Sequence, residues 1–387
     1  MLPLSCIISG FLVVLVGYTS SVAIVFQAAA VAGARPDEIS SWLVVLGLGM
    51  GITTLCLSLY YRAPIVTAWS TPGAALLVTS LSGTPLPEAT GAFLFCGALV
   101  ALSGFSGLFE RLVDRIPISI ATAMLAGILT RFCLNAFVSA ETALLLVLLM
   151  FLVFLFVRRF ALRYATLASL ITGIVIANFQ GLMNFNEFTL TLSGPVLVTP
   201  SFSLPTLIGI GVPLFIVTMA SQNVPGVAAL RNGGYSHVPT SPLITWTGVT
   251  TIILAPFGGY TFNLAAITAA ICISPEAHKD ETKRYLAATC AGGFYIVIGV
   301  FGATVAAIFA VFPAELVLAI AGFALLNTIS GALHTAISDI RNRDSALITF
   351  LVTLSGVSLW GIDAAFWGLI AGGLSWLLLN WDQAQKN

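Results

Sequence analysis

The run LLLVLLMFLVFLFV, residues 144–157, contains no polar side chain and no charge. In water such a segment has no face to offer the solvent. In lipid every backbone N–H and C=O must pair internally, which leaves only helices or closed barrels. A barrel strand alternates lipid-facing apolar with lumen-facing polar residues, and this run does not alternate. It therefore reads as a membrane helix. The rest of the chain agrees: of 387 residues, 58% are hydrophobic and 8% are charged, where a soluble domain carries about 25% charged residues. The expected fold class is an all-α polytopic protein embedded in the lipid bilayer.

The same composition excludes several functions. Formal net charge is zero, with no basic stripe interleaved with aromatics, so no nucleic-acid partner is expected. Cys6, Cys56, Cys96, Cys133, Cys272 and Cys290 stand singly, without CxxC or Cys/His spacing, so neither a metal site nor a disulfide framework is expected. Phosphate-loop and dinucleotide motifs are absent. So are a deep carboxylate pair and a Ser–His pair, and the chain does not read as an enzyme. The N-terminal apolar run lacks a basic flank and is too long for a cleaved leader, so it reads as the first span.

Apolar windows bounded by charges or Pro/Gly clusters place spans at 4–32, 39–60, 88–109, 117–137, 142–157 and 163–178. A second set falls at 204–231, 241–257, 282–310, 313–332, 344–360 and 363–381. Two further segments, 64–80 and 256–274, are apolar but short and interrupted. If both cross, there are 14 transmembrane segments with N- and C-termini cytoplasmic. Of the 15 Lys and Arg residues, all but Arg35 and Arg131 then face the cytoplasm, among them Arg62, Arg111, Arg115, Arg158, Arg159, Arg163, Arg231, Lys283, Arg341, Arg343 and Lys386. If neither crosses, the charges divide evenly. The positive-inside rule favours crossing.

A repeat is visible across the halves. Residues 20–33, SSVAIVFQAAAVAG, align without gaps on 221–234, SQNVPGVAALRNGG. AWSTPGAA (68–75) falls on GYTFNLAA (259–266), and weaker matches follow in the same order. Seven spans is an odd number, so the second half enters from the opposite face, the 7+7 inverted repeat of many secondary transporters. The first repeat is expected over 1–180 (spans 1–7) and the second over 204–387 (spans 8–14). An extracytoplasmic linker over 181–203 joins them.

The interrupted segments are the candidate site. Thr71-Pro72 resembles a helix cap followed by proline in the first turn, and residues 64–69 read as extended. Span 3 should thus become helical only near mid-membrane. Span 10 mirrors it, extended over 256–260 and helical from about Phe262 to Ser274. Two helix starts meeting deep in the bilayer carry unpaired N–H groups and partial positive charge, a seat for an anion without a basic side chain. Ser70, Thr71, Thr261 and Asn263 would line it, and Trp69, Tyr260 and Phe262 would supply flat apolar surface.

Gln222 and Asn223 lie near the middle of span 8, beside Pro225-Gly226. They read either as interhelical glue or as direct substrate contacts. Arg131 lies inside span 5, and either snorkels or pairs at the gate, or attracts anions in an outer vestibule. Tyr18 on span 1 is a further vestibule or coupling candidate. His278, in SPEAHKD, either caps its loop or titrates as a coupling group. Glu88, Glu141, Glu276, Glu315 and Asp363 are expected at helix starts, complementing the dipole. Gly331, Gly372 and Gly373 read as close-packing positions.

AWSTPGAAL (68–76), AMLAGILTRF (123–132), TMASQNVPG (218–226), AAITAAICISPEAH (265–278) and AFWGLIAGG (365–373) together resemble the signature segments of the bacterial benzoate–proton symporter family. The resemblance runs from about Gly10 to Gly373. It implies an inner-membrane carrier for benzoate or a related small aromatic carboxylate, with a proton as coupling ion and no other cofactor. It also implies the fold of nucleobase transporters, with a core domain over 4–110 and 204–310 and a gate domain over 111–178 and 313–381. Substrate would sit between spans 3, 8 and 10, often in a homodimer. Similar nucleobase carriers place a glutamate on span 8, where this chain has Gln222 and Asn223. That suits a carboxylate cargo but removes the obvious proton carrier. The alternative function is an anion channel or exchanger of the same fold.

Overall fold

A computed structural model describes residues 3–107, 118–161, 164–184, 194–360, 362 and 364–380. Arg111, Arg115, Arg163, Asp363, Lys386 and part of the expected 181–203 linker lie outside them. The first half contains α1 (Leu4–Val31), α2 (Pro36–Tyr61), β1 (Thr67–Trp69), α3 (Thr71–Ser80), α4 (Leu86–Phe105), α5 (Ile118–Val138), α6 (Leu144–Phe160) and α7 (Ala165–Phe179). The second contains α8 (Leu204–Asn232), α9 (Thr240–Leu254), β2 (Phe262–Leu264), α10 (Ile267–Ile273), α11 (Tyr285–Val300), α12 (Gly302–Val311), α13 (Ala314–Ser338), α14 (Arg343–Ser355) and α15 (Ala364–Leu379). The same element order runs through both halves once α11 and α12, bent by 63° at their junction, are taken as one.

The surface explains why this chain needs lipid. Leu144, Leu145, Leu148, Leu152 and Phe156 on α6 are between 44% and 68% exposed, and nothing in water would pay for that apolar belt. The molecule is a polytopic helical membrane protein. Among the described residues, five helices are long and apolar enough to cross alone, and seven when α1 and the α11–α12 pair each count as one bent span. A total of 14 requires the shorter helices α3, α6, α7, α9, α10, α14 and α15 to complete their crossings with non-helical chain. For α3 and α10 that chain is β1 and β2.

Small residues set the packing, because a missing side chain lets two backbones approach. On α2, a Cβ at Gly47 would lie 2.5 Å from Gly299 Cα of α11, and one at Gly51 would lie 2.8 Å from Gly292 O. Gly302 meets Val44 in the same way, at 2.6 Å from its N. Gly10 of α1 closes on the opposite side of α11, 2.7 Å from Ala291 N. Gly248 of α9 meets Ala101 of α4 likewise, at 2.3 Å from its N. Elsewhere α5, α13, α14 and α15 pack together, with Gly127 and Gly368 against Thr353 and Gly372 against Thr349. Gly331 and Gly373 have nothing within 4 Å. The expectation of close packing holds for Gly372 and fails for these two.

Helix α8 widens twice into π turns, at Leu207–Gly211 and Met219–Asn223. Each precedes a proline, Pro213 and Pro225. Proline cannot donate to the carbonyl four residues back and its ring crowds that carbonyl, and a wider turn relieves both faults. The carboxylates follow expectation in part. Glu88 and Glu315 sit in the first turns of α4 and α13, whereas Glu276 lies in a turn after α10 has ended.

Candidate functional site

The two interrupted segments pair directly with each other. β1 and β2 form a two-stranded antiparallel ladder with Thr67 opposite Leu264, Ala68 opposite Asn263 and Trp69 opposite Phe262. The ladder extends by a bond from Ala265 N to Val66 O at 2.9 Å. Such pairing satisfies main-chain groups that lipid cannot, so the breaks are tolerated because each supplies the other's partners. The ladder leads straight into α3 and, two residues later, into α10.

The start of α3 is built locally. Ser70, not Thr71, is the cap: its Oγ accepts from Gly73 N at 3.0 Å, and Pro72 occupies the first turn. The Tyr260 hydroxyl donates to Ser70 O at 3.0 Å, tying the second break to the first. Trp69 Nε1 donates to Ser21 Oγ on α1 at 2.8 Å, and its ring meets Tyr18 edge-on with centroids 4.8 Å apart. Thr67 lies in a hydroxyl cluster with Thr53 and Thr54 of α2. Ser21, Thr53 and Thr54 had no signal in the sequence beyond being polar in apolar runs.

The start of α10 differs from expectation. Helix was expected from about Phe262, but residues 262–264 are strand and the helix begins at Ile267 after Ala266, with no side-chain cap. The strand is held from outside. Leu264 N donates to Asn223 Oδ1 of α8 at 2.9 Å, and Phe262 N donates to Thr251 Oγ1 of α9 at 3.0 Å. Asn263 Nδ2 turns back to Leu264 O at 3.0 Å. Phe262 packs on Gly49, Tyr260 stacks near Trp42 and Phe93, and the Thr261 hydroxyl lies beside the Cys96 thiol.

Exposure sorts the expected site residues. Trp69, Ser70, Asn223, Tyr260, Thr261, Phe262 and Asn263 are buried, whereas Thr71 and Gln222 keep accessible surface. Asn223 spends its acceptor on β2 and directs its Nδ2 at Met219 Sδ, 3.2 Å away. Gln222 sits one residue earlier on the same π turn, and its carboxamide makes no hydrogen bond among the described residues. Tyr18 is buried beside Tyr295, ring centroids 6.1 Å apart. His278 and Arg131 lie away from the ladder. His278 is in the loop after α10, where its Nδ1 accepts from Asp280 N at 3.0 Å, the loop-capping geometry. Hydrogen bonds from the Thr282 hydroxyl and N–H hold the Asp280 carboxyl below the usual carboxylate range.

Paired breaks inside a bundle of apolar helices define a membrane protein of the broken-helix class, in which irregular backbone is stabilised only within the protein. The transmembrane domain of a cyanobacterium bicarbonate transporter, BicA, shares this fold with TM-score 0.62 at 13% identity, over 96% of this chain and 97% of that one. The benzoate membrane transport protein (BenE) family model matches residues 1–378, and the chain belongs to that family. It is 50% identical to the inner membrane protein YdcO of Escherichia coli K12 over 379 residues, 98% of this chain and 97% of the relative. It is 38% identical to the benzoate membrane transport protein of Acinetobacter baylyi over 376 residues, 97% and 95% of the two chains.

Proposed function

We propose that this protein is a secondary transporter of the inner membrane that imports benzoate or a related aromatic carboxylate together with a proton. The observation that carries the reading is the β1–β2 ladder, from whose opposite ends α3 and α10 run, so that both helix starts face it inside the bundle. Thr71 N–H and hydroxyl make no hydrogen bond among the described residues, and both point of charge and geometry suit a carboxylate. Gln222 offers a free carboxamide close by in sequence to the Asn223 strut. Trp69 and its neighbouring rings form the apolar wall for the aromatic body. The family membership and the name of the Acinetobacter relative support the cargo.

On this reading the chain forms 14 spans as a 7+7 inverted repeat, with both termini cytoplasmic. A core domain over 4–110 and 204–310 rocks against a gate domain over 111–178 and 313–381 to give alternating access, and two copies form a homodimer. The test is uptake of labelled benzoate into proteoliposomes under an imposed pH gradient. Gradient-dependent uptake, competed by ring-bearing carboxylates, is expected. Absence of uptake overturns the cargo, and conductance far above carrier turnover in planar bilayers replaces the carrier with a channel. Gln222→Ala should raise the benzoate dissociation constant by about tenfold, the loss of one hydrogen bond to a charged group, without changing the melting temperature.

A further inference from the structure

Away from the ladder, where α3 ends and α8 begins, the structure holds a cavity of 340 Å³. That is at the lower end of small-molecule sites, about 300–1,000 Å³. Thr79, Ser80 and Thr84 line it from the end of α3 and the turn beyond, and Thr206 from the start of α8. Facing them are Arg131 of α5 and Ser358, just after α14. Among the described residues no acidic side chain lines it. Glu88 stands behind one wall, where its Oε2 accepts the Thr206 hydroxyl at 2.7 Å.

Arg131 is the group that gives the cavity a sign. Its guanidinium lies flat on Gly356, where a Cβ would come 2.4 Å from Arg131 Cζ and where φ is +68°. Only glycine serves both demands, and its absent side chain is what admits the guanidinium to the cavity. Among the described residues Arg131 has neither a carboxylate nor a carbonyl partner. A fixed positive charge without a counter-ion in a cleft concentrates anions. The Ser80 hydroxyl is buried and also unpartnered, a donor without an acceptor.

We propose that this cavity is a second, outer carboxylate site. There Arg131 and the Ser80 hydroxyl hold the anionic group of the incoming acid before it reaches the ladder, about 15 Å away along α3. The inference rests on the reading of the cargo as a carboxylate, and it adds a capture step on one face of the membrane. Because that face is the outer one by the distribution of Lys and Arg, the site acts on import and not on release.

The test reads the cavity without needing transport. In the full-length protein with Ser358→Cys, the rates of modification by anionic and cationic methanethiosulfonates are compared, with the parent as background. The anionic reagent should be favoured, and Arg131→Gln should lower the ratio of the two rates by about tenfold. Arg131→Lys, which keeps the charge, should preserve it, and benzoate should slow modification unless Arg131 is neutralised. An unchanged ratio in Arg131→Gln, or no protection by either benzoate or acetate, overturns the proposal. Uptake assays separate the two readings. Protection without benzoate uptake leaves the site standing and removes the transport reading, while uptake with an unchanged ratio does the reverse. In proteoliposomes, Arg131→Gln should raise the external KM for benzoate and leave the internal one unchanged.

Discussion

The two breaks perform the same service by different means. The first is written into its own sequence: Ser70 caps α3, Pro72 sets its first turn, and the helix runs ten residues, Thr71–Ser80. The second has no cap, reaches helix only at Ile267 and keeps it for seven residues. It is positioned by Asn223 from α8, Thr251 from α9 and the Val66 carbonyl beside β1. The start of α3 is capped from within and that of α10 is set by its neighbours, although β1 itself leans on Thr54 and Met50 of α2. Damage to the start of α10 should therefore come from residues far from it in sequence, and damage to the start of α3 from residues next to it.

The largest effect is expected where the second break begins. Gly258 has φ +99°, and a Cβ there would lie 1.8 Å from Trp42 Cδ1. Gly258→Ala combines backbone strain of about 1–3 kcal/mol with overpacking of about 1–3 kcal/mol. It should abolish monodisperse protein on size-exclusion chromatography. Next comes Asn223→Ala, which strands the buried Leu264 N–H at a cost of about 1–3 kcal/mol. It should lower the melting temperature clearly, whereas the adjacent Gln222→Ala should not; equal melting temperatures would erase the distinction between strut and free amide. Smallest is Ser70→Ala, the loss of one cap at about 1 kcal/mol, with benzoate affinity affected less than by Gln222→Ala. A drop as large as that of Asn223→Ala would mean that the first break also depends on its surroundings.

That contrast also explains what could be read from the amino acids. The start of α3 was legible to within one residue because capping and proline chemistry act between neighbours. The strand at 262–264 was not, because its partner strand is remote and the Asn223 side chain that accepts from Leu264 N stands 41 residues away. By analogy with span 3, residues 262–274 read as one helix. Pro213 and Pro225 follow the two π turns, yet nothing local in the sequence distinguishes a widened turn from a kink. Gly331 and Gly373 failed as packing sites for a related reason: a glycine records only the absence of a side chain, and the neighbour that would exploit it belongs to another helix.

The contact between α2 and α11 has a mechanical meaning. Gly47, Gly51, Gly292 and Gly299, with Gly302 at the start of α12, bring main chain close to main chain over successive turns, so few side chains stand between the helices to absorb displacement. Since α2 holds β1 through Thr53 and Thr54, and α10 is joined to α11 through residues 274–284, this contact links the two breaks by a second route besides the ladder. A hinge between α2 and α11 would have to part main chain from main chain, so the two helices are expected to move as a single plate.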